Sequence, residues 1–461
     1  MTLPRVVDLV NFCGPPQPLA RFLSKICFMK NIYSLLVLTA VVALAGCKSQ
    51  RVTEGGGVPV IDLASEVGRG KVIDLSEVAS DIRYVKLETT KESLIGQFPR
   101  VFYENGRIYV FSTRQIIKVF DKDGRFLFTF DKRGRGPNES QFTANIRVMP
   151  YTGGITIQEH TRNSNDRLLF YDRDGNFEKS KEIPRIKTIS SERTISLNDT
   201  VFIGSAAPRH EDSLQIFAIV YDSDFNVIKN IKMPVIPEYE KVFQQTMALR
   251  VSDGSVSTVN VGSHYRVFPP ELHPFKNSVR LITPGNDTIF TLDSDLNYSA
   301  AFRINYGKYK NLSEKRDHIS YLDGDHIDMR VRYFIESEES IILQFGMRDF
   351  CHEPYEVMVP TTRGLESRRH TDCYALYDKK TGEFRFLNQP VKGVVGFRED
   401  LQGGPAFLPT SISSDFHASA LFTALEIIDF ASANSVKGDL REIVKDLKDT
   451  DNPVVAIAKM K

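Results

Sequence analysis

Short apolar segments alternate with polar turns along most of the chain after residue 72. In the recurring unit, an apolar strand ends in Asp, and a turn containing Gly or Asn leads into a second strand. These turn aspartates are Asp121, Asp172, Asp222, Asp293 and Asp378. The first three lie 51 and 50 residues apart. A period of this size is typical of a protein whose repeats stack in a row or around an axis.

Four short strands are predicted between residues 98 and 130. The predicted strands are 98–103, 107–111, 116–120 and 125–130. Asn105-Gly106 separates the first two, and Asn-Gly is the strongest short-range signal of a β-hairpin. The Asp-x-Asp-Gly turn at 121–124 separates the last two. A four-stranded meander of this length predicts one blade of an all-β propeller.

The later repeats are spaced more widely. Insertions over 234–274 and 305–329 account for most of the difference. Insertions in repeat proteins usually lie in loops on one face, which is often the binding face.

The C-terminal part changes in character. The apolar stretch 418–433 predicts a buried helix, and Leu440, Ile443, Val444 and Leu447 form a helical stripe. Asn452-Pro453 ends this helical insertion, and 454–458 is strand-like. This last strand is expected to pair with an early strand and close the ring, which removes an exposed sheet edge.

The N-terminus predicts a lipoprotein signal. Lys30 precedes an apolar run over 33–45 and then Gly46-Cys47, which resembles a bacterial lipobox with Cys47 as the acylated residue. The predicted organisation is an over-called start at 1–28, a signal peptide at 29–46, a flexible tether at 47–70 and the propeller at 71–461. Lys48 follows the lipidated cysteine where Asp would favour the inner membrane. The expected location is therefore the outer membrane, facing the periplasm.

The net charge and the cysteines limit the classes of partner and cofactor that this chain can have. The chain has 461 residues and a formal net charge of +1, which argues against a nucleic-acid partner because such proteins carry a strongly basic face. Cys13 and Cys27 lie in the removed segment, so Cys351 and Cys373 remain. In an oxidising compartment they form a disulfide or stay as two buried thiols. They lack the paired spacing of a zinc site, so no metal or other cofactor is expected.

Together with these features, the loop Gly134-Arg135-Gly136-Pro137-Asn138-Glu139 carries a family resemblance. The chain from residue 72 onward resembles the six-bladed β-propeller lipoproteins of Bacteroides-type bacteria, which are similar to NHL-repeat propellers. The resemblance implies six four-stranded antiparallel blades and a cell-envelope location. It implies no reaction.

Candidate site residues fall in two places. Arg133 and Arg135 either line the central channel and meet an anionic ligand or belong to a blade-to-blade loop. The segment 323–328, with His318 upstream and His326 within it, is the densest group of possible metal ligands, although a solvated loop is the simpler interpretation. Arg330 and Arg332 follow, either as contacts to a carboxylate or sugar or as a rim of salt bridges.

The turn aspartates have two interpretations. Several oxygen ligands in one loop would suit calcium, but the third ligand position and the later Glu of an EF-hand are missing. The alternative is a hairpin turn in which Asp accepts hydrogen bonds from the backbone ahead of it, and the sequence favours this.

The predicted function is a lipid-anchored binding or scaffolding module for a protein, peptide or glycan ligand. The alternative is a propeller enzyme, a lyase or hydrolase acting on envelope or dietary glycans through the 323–328 cluster. The absence of Trp and of a nucleophile-elbow motif disfavours the enzyme.

Overall fold

The computed structural model describes residues 57–96, 99–112, 115–160, 166–183, 189–198, 200–208, 216–232, 251–252, 255–256, 270–310, 326–361 and 364–461. Within these residues, six sheets have four antiparallel strands each, and one of them gains a fifth, parallel strand. Each sheet is one blade of a propeller, so the predicted six-bladed architecture is confirmed.

The strands follow one another along the chain from the first blade onward. The first elements are β1 (Val60–Ile61), α1 (Leu75–Val78) and β2 (Ala79–Lys86). Blade 1 contains β3 (Arg100–Glu104), β4 (Arg107–Phe111), β5 (Ile116–Asp121) and β6 (Phe126–Asp131). Blade 2 contains β7 (Thr143–Val148), β8 (Ile155–His160), β9 (Asp166–Tyr171) and β10 (Phe177–Ile183). Blade 3 contains β11 (Ile189–Ser196), β12 (Phe202–Pro208), β13 (Ile216–Tyr221) and β14 (Val227–Lys232).

Blades 4 and 5 each carry an addition to the basic unit. A two-stranded pair, β15 (Val251–Ser252) and β16 (Ser255–Val256), precedes blade 4. Blade 4 contains β17 (Glu271–Phe275), β18 (Ser278–Ile282), β19 (Thr288–Asp293) and β20 (Tyr298–Ile304), with β1 parallel to β20. Blade 5 contains β21 (Asp328–Glu336), β22 (Ser340–Gly346), β25 (Asp372–Asp378) and β26 (Phe384–Phe386). A separate hairpin of β23 (Tyr355–Thr361) and β24 (Gly364–His370) lies between β22 and β25.

Blade 6 joins the two ends of the described chain. It contains β27 (Ser411–Ile412), β28 (His417–Phe422), β29 (Val454–Met460) and, as its outermost strand, β2. In the register, Ile82 lies opposite Ala458 and Tyr84 opposite Ala456. The predicted closure by a final strand that pairs with an early one is therefore confirmed.

The ring is also visible in the core. Six clusters of buried apolar side chains each lie between two successive blades, and the last joins blade 6 to blade 1. Aromatic pairs fill these interfaces, as where Phe130 of blade 1 meets Tyr171 of blade 2 edge-on at 5.0 Å between centroids. Because every blade buries both of its faces, the blades stabilise one another around the axis.

Two helices precede the closing strand, as predicted, but the first begins later than expected. The pattern over 418–433 predicts one buried helix, whereas β28 extends to Phe422, α2 covers only Ala424–Ala433, and within α2 only Ala424 and Ile427 are buried. Thr423 caps this helix: its hydroxyl oxygen accepts a hydrogen bond from the Glu426 N–H at 3.2 Å, and its own N–H donates to the Glu426 carboxylate. Helix α3 (Gly438–Asp446) follows and buries Leu440.

The N-terminal segment packs on the propeller earlier than the predicted tether of 47–70 allows. Ile61 and Leu63 are fully buried against blade 4. Lys71 then pairs with Leu387 after blade 5, and Asp74 pairs with Arg398. From Val60 onward the chain therefore runs along blades 4 and 5 before it completes blade 6.

The two ends of the propeller differ. The lower end is the end at which the first strand of a blade turns into the second. The upper end is the end at which the chain passes from one blade to the next. Connections at the lower end are short turns. The long connections between β14 and β17, β20 and β21, β22 and β25, and β28 and β29 all leave from the upper end. The connections that contain the predicted insertions thus start from the same end, although the last residues of these insertions belong to β17 and β21.

Candidate functional site

A cavity of about 400 Å³ lies where the first strands of all six blades meet. Residues of β3, β7, β11, β17, β21 and β27 line it, so it occupies the propeller axis. This volume is within the range of small-ligand pockets in proteins.

A bulge of four residues in β21 shapes the cavity wall. Met329 lies opposite Phe345 and Phe334 opposite Leu343, so the four residues from 330 to 333 lie opposite Gln344 alone. Bulges turn side chains away from the regular alternation and are common near binding sites. The predicted site residues Arg330 and Arg332 both lie in this bulge.

Neighbouring blades hold the bulge in place. His273 Nε2 of blade 4 donates to the Val331 carbonyl at 2.8 Å, and the Tyr333 hydroxyl donates to the Pro409 carbonyl at 2.7 Å. Because a carbonyl only accepts, this contact places the His273 proton on Nε2.

The bulge separates the two arginines. Arg332 lines the cavity with its side chain 80% exposed, and its Nε lies 3.1 Å from the carboxylate of Glu271. Arg330 instead forms a two-point salt bridge with Asp372 and a contact of 2.9 Å with Asp328, which raises the pKa of its guanidinium. The structure thus puts Arg332 in the cavity and Arg330 in a salt-bridge network.

His326 lies away from the cavity lining. The whole residue is 4% exposed, and its Nε2 is 4.0 Å from Asp328 Oδ1. Asp323, Asp325 and His318 lie outside the described residues. In the part of the chain that the structure describes, no group of three or more His, Cys, Asp or Glu side chains is placed to hold a metal ion.

Arg133 and Arg135 belong to the loop between blades 1 and 2 and do not line the cavity. Arg133 forms an exposed ion pair with Asp131 at 2.6 Å. The Glu139 carboxylate accepts from the Gly136 N–H at 2.9 Å and lies where a Cβ on Gly134 would stand. The glycines therefore allow the loop to fold tightly around Glu139.

Sequence reasoning missed the residues at the lower mouth of the cavity, which we define as Tyr151, Phe275, Lys276 and Phe416. Tyr151, Lys276 and Phe416 occupy lower-end turns in the left-handed backbone region, with φ of 65°, 50° and 63°. These positions favour Gly or Asn. The sequence signal that could have identified these residues was an aromatic residue or Lys at a turn position.

A buried carboxylate supports this mouth. Glu104, 1% exposed, accepts hydrogen bonds from the backbone N–H groups of Tyr151 at 3.2 Å and Ser414 at 3.0 Å, and from the Ser414 hydroxyl. Burial raises the pKa of Glu104, although these donors favour its charged form.

Cations surround the ring of Phe275. Lys379 Nζ lies 4.2 Å and the Arg280 guanidinium 4.7 Å from its centroid. Both cations pair with the buried carboxylate of Glu336, at 2.7 and 2.8 Å. Burial lowers the pKa of Lys379, and Arg280 and Lys276 lower it further, while Glu336 acts in the opposite direction.

The two remaining cysteines are buried neighbours in blade 5. The sulfur atoms of Cys351 and Cys373 lie 3.5 Å apart. The hydrogen bond from the Cys373 thiol lowers the pKa of Cys351. The predicted disulfide stays a prediction.

The turn aspartates act on the backbone, as predicted. Asp222 Oδ1 accepts from the N–H groups of Asp224 and Asn226, both at 2.9 Å, and Asp121, Asp172 and Asp293 repeat the pattern. Asp378 accepts from Lys380 and Thr381. The carboxylates are thus engaged as turn caps.

The fold is that of a six-bladed β-propeller closed by an N-terminal strand. Residues 58–459 match the model of a family described as a domain of unknown function, DUF4934. The chain belongs to the DUF4934 family. No curated protein matches it.

One solved structure supports the fold, and two others are reported beside it. A Bacteroides fragilis protein whose export is inferred is 16% identical to this chain, with a TM-score of 0.54. The match covers 87% of this chain and 99% of that one. A DUF4221 member from Bacteroides vulgatus is 11% identical with a TM-score of 0.40, over 83% and 97%. Virginiamycin B lyase from Staphylococcus aureus is 6% identical with a TM-score of 0.32, over 82% and 99%. At such identities, the likeness to the Bacteroides fragilis protein shows a shared fold alone.

Among the described residues, no helix is both long and apolar enough to cross a membrane.

Proposed function

We propose that this chain is a cell-envelope binding module that takes a protein segment, peptide or glycan into its central cavity. The observation that carries the proposal is the cavity of about 400 Å³ bounded by all six blades. Its exposed charged side chains, Arg100, Lys276 and Arg332, are all cationic. Its acidic residues, Glu104, Glu271 and Glu336, are more buried and have partners.

The cavity surface is therefore suited to a ligand that carries negative charge. Arg332 contributes most directly, because its guanidinium is largely exposed and only one side of it meets Glu271. A guanidinium recognises carboxylates and phosphates through several parallel N–H donors.

The test is equilibrium binding of the mature protein to arrays of glycans and short peptides. Arg332→Ala is expected to weaken the strongest array ligand about tenfold, because it removes a charged hydrogen-bond donor. An Arg133→Ala, Arg135→Ala double variant is the matched control, since it removes arginines outside the cavity, and it is expected to bind as wild type. Equal loss in both variants, or in neither, would contradict the proposal.

The enzyme alternative is read from the same samples. Chemical conversion of a bound glycan, lost when His326 and Asp325 are both changed to Ala, would replace the binding module by a lyase or hydrolase.

The proposal includes a lipid anchor at Cys47, on the outer membrane and facing the periplasm. This residue lies outside the described residues, so the support is the signal-like sequence before it. Cys47→Ala is expected to move the protein from the membrane to the soluble fraction, because several acyl chains on one cysteine hold firmly. Cell fractionation measures this, and a variant that stays with the membrane would contradict the anchor.

A further inference from the structure

The lower mouth combines an unfavourable backbone conformation with exposed side chains. Phe225 also has a left-handed φ, 62°, but it is 1% exposed and fills the interface of blades 2 and 3. Tyr151 has a φ of 65° and is 53% exposed, and Lys276 is also exposed. Side-chain packing thus accounts for Phe225 but not for these two, and backbone strain of this kind is concentrated at ligand sites.

The Tyr151 turn is held rigidly by two other blades. Its N–H contacts Glu104 Oε1 of blade 1 and the Ser414 Oγ of blade 6, both at 3.2 Å. Ser414 in turn donates its N–H to Glu104 Oε2. The Tyr151 backbone is therefore positioned before a ligand arrives, which reduces the entropy lost on binding.

The charge at the mouth selects against a cationic ligand. Lys276 Nζ lies 5.8 and 5.9 Å from the ring centroids of Phe275 and Phe416, where a bound cation would otherwise interact with the rings. Its partner Glu338, at 2.8 Å, is about as exposed as Lys276 itself. Such a surface pair contributes little, so a ligand carboxylate can replace Glu338.

Hydroxyl groups complete the lining. Seven serine and threonine residues are among those that line the cavity. Hydroxyls that already donate one hydrogen bond retain acceptor capacity. A lining of this kind suits a polyhydroxylated ligand better than an apolar peptide side chain.

We propose that the lower mouth binds an acidic sugar, a pyranose with a carboxylate, whose ring lies against Tyr151 and Phe416 and whose carboxylate contacts Lys276. This inference rests on the proposed function and specifies its ligand class. The cavity volume of about 400 Å³ leaves room for a second sugar unit along the axis.

The experiment is isothermal titration of the mature protein with digalacturonic acid and with its methyl ester, which has the same rings without the charge. Wild type is expected to bind the acid about tenfold more tightly than the ester. Lys276→Asn is expected to abolish this preference, and it keeps the turn because Asn tolerates a positive φ. Lys122→Asn, at an exposed lysine in another lower-end turn, is the control and is expected to retain it.

Tyr151→Asn tests the stacking surface. It is expected to weaken both ligands about fivefold, because it removes the aromatic face. Its melting temperature is expected to equal or exceed that of wild type, because Asn relieves the strain at this turn. A functional rather than structural role is indicated by weaker binding without lower stability.

Two outcomes overturn the acidic-sugar inference. One is that wild type binds acid and ester alike, and the other is that Lys276→Asn weakens both equally. If array ligands still depend on Arg332 while the uronate does not bind, the acidic sugar is wrong and the central-cavity function stands. If no ligand depends on Arg332, the proposed function fails as well.

Discussion

The short distance between Cys351 and Cys373 places their sulfur atoms close enough to form a disulfide. Their sulfur atoms are 3.5 Å apart, and a disulfide requires about 2.05 Å, so a small side-chain movement joins them. The lowered pKa of Cys351 favours its thiolate, which is the form that attacks a disulfide oxidant. Two electrons then pass to that oxidant and the protein disulfide forms.

We therefore expect both thiols to be blocked in mature protein from an oxidising compartment. The measurement is alkylation of the denatured, unreduced protein followed by mass spectrometry, with a reduced sample as the control. Full labelling of both cysteines without reductant would contradict the disulfide.

At the residue scale, the turn aspartates were predictable from the sequence and the lower mouth was not. The turn aspartates were predictable because Asp followed by Gly or Asn at fixed spacing satisfies backbone donors locally. Phe225 and Leu296 hold the left-handed position that Gly124 and Gly175 hold in other blades. The lower mouth was not predictable, because Tyr151 and Lys276 become neighbours only when blades 2 and 4 meet around the axis.

At the scale of elements, local signals predicted the four strands of blade 1 and the closing strand β29. β28 was instead included in a predicted helix, and β17 lies largely within a predicted insertion. The β28 sequence, His-Ala-Ser-Ala-Leu-Phe, is rich in small and apolar residues because β28 is a central strand whose middle residues are buried. Such a short apolar run does not distinguish a buried strand from a helix.

The bulge in β21 was also beyond the sequence. The first residues of β21 fall in a predicted insertion, and only the register against β22 shows that four residues lie opposite one. The consequence is functional, because the bulge sends Arg330 toward Asp372 and leaves Arg332 in the cavity.

At the scale of the whole molecule, closure determines the site. The cavity exists because β2 and β29 join the chain ends in blade 6 and bring the sixth inner strand beside the first. The segment from Val60 to Asp74 adds contacts along blades 4 and 5. A propeller was predictable from repeat length, whereas the contents of its axis depend on inner strands from all six blades.

The central claim is that a ligand occupies this axis. The most direct measurement is hydrogen exchange of the mature protein with and without the strongest array ligand. We predict slower exchange in the inner strands β3, β7, β11, β17, β21 and β27 and at the lower-end turns of Tyr151 and Lys276, with β6 and β14 unchanged. Protection confined to the hairpin of β23 and β24, or to outer strands, would contradict the account.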